Sequence, residues 1–180
     1  MKGRGVVLFP LPFQGHVNPM LQLANILHAK GFSITIIHTQ FNSPNTSNYP
    51  HFRFYSIPDG IPEKYAVSSD FNPLLTLITN LNSNCVTPFR DCLAELLSIN
   101  LDDPIACLVT DALWYFTQAV ADGLKLPRIV LRASNVSSFL VLTSLSSLRE
   151  RGYLSDSVQG TNHFFDQIQI IFLTKYRPFI

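Results

Sequence analysis

The opening segment limits the possible folds more than any other feature of the chain. Residues 5–38 read GVVLFPLPFQGHVNPMLQLANILHAKGFSITIIH. Gly5 to Pro10 is a short, uninterrupted apolar run, the pattern of a strand covered on both faces. From Asn18 the pattern becomes helical: Met20, Leu23, Ala24 and Leu27 recur at i, i+3, i+4 and i+7. Asn18 suits a helix cap, Pro19 the first helical position, and Lys30-Gly31 the helix end. Phe32 to His38 is β-branched and strand-like. Strand, helix and strand in this order predict a β-loop-α-β unit and hence a parallel sheet.

The rest of the chain continues the alternation. His51 to Ile57 alternates as a third strand, and Pro58-Asp59-Gly60 reads as a turn. Residues 61–70 read as a loop. Residues 71–99 read as helix in two pieces, broken near Asn82 to Asn84 or at Pro88. Pro104 to Thr110 predicts a buried fourth strand that runs into Asp111, followed by a helix from Trp114 to Lys125. Pro127 to Leu131 is a fifth strand, and Ser134 opens a loop or helix reaching Arg149. The predicted class is α/β: a Rossmann-like open parallel sheet with flanking helices.

Composition excludes several functions. Among 180 residues, 47% are hydrophobic and 14% charged, enough for a packed core and unlike a disordered chain. A net charge of +1 without a basic block argues against nucleic acid as a partner. Cys85, Cys92 and Cys107 lack CxxC spacing, so neither a zinc site nor a disulfide framework is expected. No apolar stretch is long enough for a membrane span, and the N-terminal run is too short and proline-broken for a signal peptide. The expected setting is cytoplasmic.

In open α/β sheets, ligands bind beyond the carboxyl ends of the strands. His16 follows the first strand there and Asp111 ends the fourth. An imidazole takes a proton near neutral pH, and a carboxylate on one ring nitrogen leaves the other as the base. Gly15 reads as a residue for a tight turn beside the site. The plain alternative is a turn histidine and a helix-capping aspartate. No GxSxG supplies a serine for such a pair to activate, so the activated hydroxyl would belong to a substrate. Neither GxGxxG nor GxxxxGK[ST] occurs, which argues against a dinucleotide site and a P-loop. His28, His38, His51 and His163 carry weaker signals, and Trp114, Tyr115 and Phe116 suit either core or pocket.

At these residues the chain resembles the plant family 1 UDP-glycosyltransferases. The matching pieces are FPLPFQGHVNPMLQLANIL, ITIIHTQFNSPN, FRFYSIPDGIPE, CLVTDALWYFTQAVAD and LPRIVLRASNVSSFL, and the match runs from Val6 to Leu154. The resemblance implies the N-terminal, acceptor-binding domain of a GT-B type enzyme over residues 1–154. It implies His16 as general base and Asp111 as its partner. Pro12, Phe13, Gln14, Trp114 and Ser134 are the implied acceptor-lining residues. The implied reaction transfers a hexose, glucose above all, with inversion from a UDP-sugar co-substrate to a hydroxyl or carboxyl of a small plant metabolite. It needs no metal and no resident cofactor. Ala133 departs from the threonine common near the donor sugar. Residues 155–180 match no part of the family, and the donor-binding domain is expected to be absent. A truncated, catalytically inactive acceptor-binding fragment is the alternative expectation.

Overall fold

The computed structural model describes residues 5–62, 73–99 and 103–133, with positions 137, 140, 144, 147, 148 and 151–153 beyond them. The chain divides into two compact units, Met1–Ala66 with Ile78–Ala133, and Val67–Leu77 with Ser134–Ile180. The expected tail at 155–180 lies outside the described residues.

The first unit holds a five-stranded sheet: β1 (Gly5–Phe9), β2 (Ser33–Thr39), β3 (Arg53–Ile57), β4 (Ile105–Asp111) and β5 (Arg128–Leu131). The spatial order is β3-β2-β1-β4-β5 and every pairing is parallel. The helices are α1 (Gln14–Ala29), α2 (Pro73–Asn84), α3 (Val86–Ser98) and α4 (Thr117–Gly123). All five strands fall where the apolar runs predict them, and the α/β class holds.

Alternation along β1 divides the core between two faces. Val6 and Leu8 pack with Ile34 and Ile36 of β2 against Val17, Met20, Leu21 and Ala24 of α1. Phe9 points the other way and stacks between Phe89 of α3 at 4.4 Å and Trp114 at 4.5 Å, ring centre to ring centre. A strand covered on both faces must be apolar throughout, and all five residues of β1 are buried.

Two helix starts differ from the sequence reading. Helix α1 begins at Gln14, four residues before the expected Asn18 cap, so Pro19 lies inside it. Phe13 is the extended residue before the helix, and its carbonyl accepts from the N–H groups of His16 and Val17, both at 2.8 Å. A proline at this position forgoes one bond, to the carbonyl of Gly15, and Gly15 is exposed, where water can serve that carbonyl. The earlier start buries Val17 and places His16 in the first helical turn rather than in a loop. Gly15 therefore sits in a helix and makes no tight turn; a Cβ added there meets nothing within 4 Å.

Helix α4 starts later than predicted, at Thr117. Trp114 is fully buried in the aromatic cluster, and the helix begins only after Phe116, whose backbone is already helical. The break in the 71–99 helical region falls at Cys85, beside the predicted Asn82 to Asn84, while Pro88 lies within the first turn of α3. There the missing N–H is already one of the helix's unpaired donors.

In the second unit, residues 137, 140, 144, 147 and 148 are helical. The helix closes with the Tyr153 N–H donating to the Leu148 carbonyl at 2.9 Å across Gly152, whose φ is 74°. That six-residue closure needs a left-handed residue, which glycine adopts without strain.

Candidate active site

The sheet order reverses at β1. From β1 the chain passes to β2 and β3 on one side, then returns to β4 and β5 on the other. The crevice at the carboxyl ends of β1 and β4 is thus the topological switch point, where open α/β sheets bind their ligands. Phe9 pairs with Thr110 at this edge, so Asp111 is the first β4 residue beyond the shared register. His16 reaches it from the first turn of α1.

The two side chains meet. His16 Nδ1 lies 2.7 Å from Asp111 Oδ2, across 95 residues of sequence. Asp111 is 1% exposed and His16 26%, so the carboxylate is enclosed while the imidazole reaches solvent. The other carboxylate oxygen accepts the Leu113 N–H at 2.9 Å. With Nδ1–H donating to the carboxylate, Nε2 keeps its lone pair and is the proton-accepting nitrogen. Phe13 lies edge-on to the imidazole at 6.2 Å.

Tyr115 adds to the local electrostatics. Its hydroxyl is buried without a hydrogen-bond partner among the described residues. Burial first, and the Asp111 charge second, push the phenol well above its usual range, so it remains neutral. A phenolate there would be repelled by the Asp111 carboxylate.

The other predicted site residues divide. Pro12 and Gln14 line a cleft of about 550 Å³ with Asn18, Asn42 and Tyr49. Neither His16 nor Asp111 lines that cleft, because Gln14 and Asn18 project from the side of α1 turned away from His16. Pro12 is buried and its carbonyl accepts from Asn42 Nδ2 at 3.1 Å. Trp114 is corrected to a core residue: it has no exposed surface and stacks on Phe9. Ser134 lies outside the described residues. His38 is buried, with its Nδ1 on the Thr39 carbonyl at 2.9 Å. His28 and His51 pack ring to ring at 4.4 Å beside a cleft of about 230 Å³ that also includes Arg53. That cleft involves the amino end of β2 and so lies away from the His16 edge. Among the described residues no cluster of His, Cys, Asp or Glu is suited to hold a metal ion, and no helix is long and apolar enough to cross a membrane.

Two polar residues escaped the sequence reading. Asp59, read as a turn former, is 1% exposed; its Oδ2 accepts the Phe41 N–H at 2.6 Å and its Oδ1 the Ile61 N–H at 2.9 Å. Asn82 is 8% exposed and hydrogen-bonded to the loop that follows Asp111. The available signal was its spacing: Ile78, Asn82, Cys85 and Phe89 continue one buried stripe, in which an amide is out of place unless it has partners.

Known proteins resemble the chain in sequence and in fold. UDP-glycosyltransferase 76B1 of Arabidopsis thaliana is 51% identical over 151 residues, which make up 83% of this chain and 32% of that protein. UDP-glycosyltransferase 76G1 of Stevia rebaudiana is 49% identical over 155 residues, 84% of this chain and 34% of that protein. Among solved structures, Phytolacca americana UGT2 complexed with UDP-2fluoro-glucose and pterostilbene aligns at a TM-score of 0.67 and 20% identity, over 86% of this chain and 36% of that one. A UDP-glucose: anthocyanidin 3-O-glucosyltransferase in complex with UDP aligns at 0.62 and 25% identity, over 86% of this chain and 35% of its own. No protein-family model matches the chain. It spans about a third of the length of the curated relatives it matches. With half its residues shared across most of its length, and with a fold similar to the solved neighbours, the chain belongs to the plant UDP-glycosyltransferases.

Proposed function

We propose that this chain supplies the acceptor-activating side of an inverting glycosyl transfer from a UDP-hexose, with glucose as the sugar. The observation that carries the reading is the 2.7 Å contact of His16 Nδ1 with the enclosed carboxylate of Asp111, at the switch point of the sheet. Nε2 of His16 takes the proton of an acceptor hydroxyl. The freed oxygen attacks the anomeric carbon of the UDP-sugar as the bond from that carbon to the diphosphate oxygen breaks, and UDP leaves with the electron pair. The imidazolium left behind faces the Asp111 carboxylate, which offsets its charge. The scheme needs no metal and no resident cofactor, since the proton acceptor is the imidazole itself. Acceptors are small plant metabolites bearing a hydroxyl or carboxyl group, in line with the pterostilbene and anthocyanidin named for the neighbours. Three free thiols, Cys85, Cys92 and Cys107, fit a reducing, cytoplasmic setting.

Turnover requires the nucleophile and the anomeric carbon to be held about 3–3.5 Å apart. The test is incubation of the purified chain with UDP-glucose and a panel of flavonols, cytokinins and hydroxy acids, following glucoside and UDP together. Glucoside that disappears in His16→Ala supports the reading. Acceptor binding by calorimetry without glucoside restricts the chain to acceptor binding. Glucoside formed equally by His16→Ala overturns the assignment of the base.

A further inference from the structure

We propose that Asn82 is a positioning residue that holds the Asp111–His16 pair in register through the backbone of residues 113–115. The inference rests on the role proposed above for His16 and Asp111. Asn82 lies in the last turn of α2, and its amide spans the loop after β4. Nδ2 donates to the Leu113 carbonyl at 2.9 Å and to the Ile78 carbonyl of its own helix at 3.0 Å. Oδ1 accepts the Tyr115 N–H at 2.8 Å. One side chain thus grips the backbone on both sides of Trp114.

The next link reaches the site itself. The N–H of Leu113, whose carbonyl Asn82 holds, donates to Asp111 Oδ1 at 2.9 Å, and Asp111 Oδ2 meets His16. Among the described residues, Asp111 also holds this loop through the Trp114 N–H on its carbonyl at 3.3 Å, a long bond. The stacked Trp114 ring anchors the loop in depth, and the Thr117 hydroxyl holds the Trp114 carbonyl at 2.8 Å. The Asn82 amide adds the constraint on the Leu113 carbonyl and the Tyr115 N–H, because a donor and an acceptor on one rigid plane must meet an acceptor and a donor in the loop. An ionised aspartate would set an oxygen against the Leu113 carbonyl, and leucine would leave both backbone groups unpaired.

Nitrogen-15 NMR of the His16 ring in the full chain tests the inference, because tautomer is a property that a loss of stability alone does not change. In the unmodified protein the ring should show Nδ1 protonated and Nε2 bare. In Asn82→Leu and Asn82→Asp the preference for that tautomer should fall about tenfold, the equivalent of one net hydrogen bond. Asn84→Ala serves as the control: Asn84 is a helix neighbour that holds the Asp59 carbonyl at 2.9 Å, and its removal should leave the ring signals in place. Ring signals unchanged in folded Asn82 variants overturn the positioning role alone. An Nε2-protonated ring in the unmodified protein overturns the function proposed for His16 instead. Should the Asn82 variants not fold, amide exchange in the unmodified protein decides: a Tyr115 N–H exchanging as fast as a free amide overturns the inference, and a strongly protected one supports it.

Discussion

Two aspartates stand at the carboxyl edge of the same sheet, equally enclosed, and do different things. Asp59, just past β3, and Asp111, ending β4, are each 1% exposed. Asp59 is held by two backbone N–H groups, those of Phe41 and Ile61. Asp111 is held by one backbone N–H, that of Leu113, and by the ring of His16. A backbone N–H is a donor and nothing else. An imidazole nitrogen is a donor or an acceptor according to its tautomer. The Asp59 carboxylate therefore ties the loop after β2 to the turn after β3, whereas the Asp111 carboxylate selects which nitrogen of His16 is basic. Burial alone does not distinguish the two; the adaptability of the partner does.

The comparison is most easily broken at the base. His16→Ala should lower glucoside formation by about 10²–10⁴-fold, measured as initial rates. Asp111→Asn should lower it to a similar extent while leaving the unfolding free energy from urea melts within about 1 kcal/mol of the parent. The amide oxygen can keep the Leu113 N–H while the amide nitrogen turns to His16. Nδ1 must then accept, and Nε2 carries the proton. If Asp111→Asn loses as much stability as Asp59→Asn, the distinction between the two carboxylates fails.

Asp59→Asn should instead cost about 1–3 kcal/mol, read from the same urea melts, because its new amide nitrogen must face a backbone donor that cannot change role. The His16 ring signals should not move. A smaller effect concerns Cys85, whose thiol is pushed up to about 12 by burial and then by the Asp59 charge. The folded chain keeps this proton where the unfolded chain has released it. Its contribution to stability is therefore intact below about pH 8.5, the ordinary thiol value, and is lost as pH rises through 12. Cys85→Ala should flatten the alkaline fall in melting temperature, and Asp59→Asn should speed alkylation of Cys85 by iodoacetamide. An unchanged alkylation rate would separate Asp59 from Cys85. The smallest effect belongs to Gly15→Ala: a Cβ there meets nothing, so helix propensity should add roughly 0.5–1 kcal/mol, seen as a slightly higher urea midpoint.

The strands were legible because β1 and β4 must be apolar on both faces, and such runs stand out in the sequence. Asp111 was legible as the end of a strand and His16 as a residue following one, near the edge where an α/β sheet exposes its chemistry. The starts of α1 and α4 were not. Pro19 reads as a helix start until the structure shows that one forgone bond at an exposed turn is outweighed by burying Val17 and bringing His16 to Asp111. Trp114 reads as a helix start and as core before pocket, and stacking on Phe9 places it in the core. Asn82 looked like a break between helices because its partners, Leu113 and Tyr115, are more than 30 residues away.

The order of residues alone determined the alternation of strand and helix, and with it a parallel sheet whose chemistry gathers at one edge, because apolar periodicity is a local property. Which polar group meets which was decided only in three dimensions. Parallel strands carry no local instruction for their neighbours, and the placing of β4 beside β1 brought an imidazole and a carboxylate 95 positions apart to within a hydrogen bond.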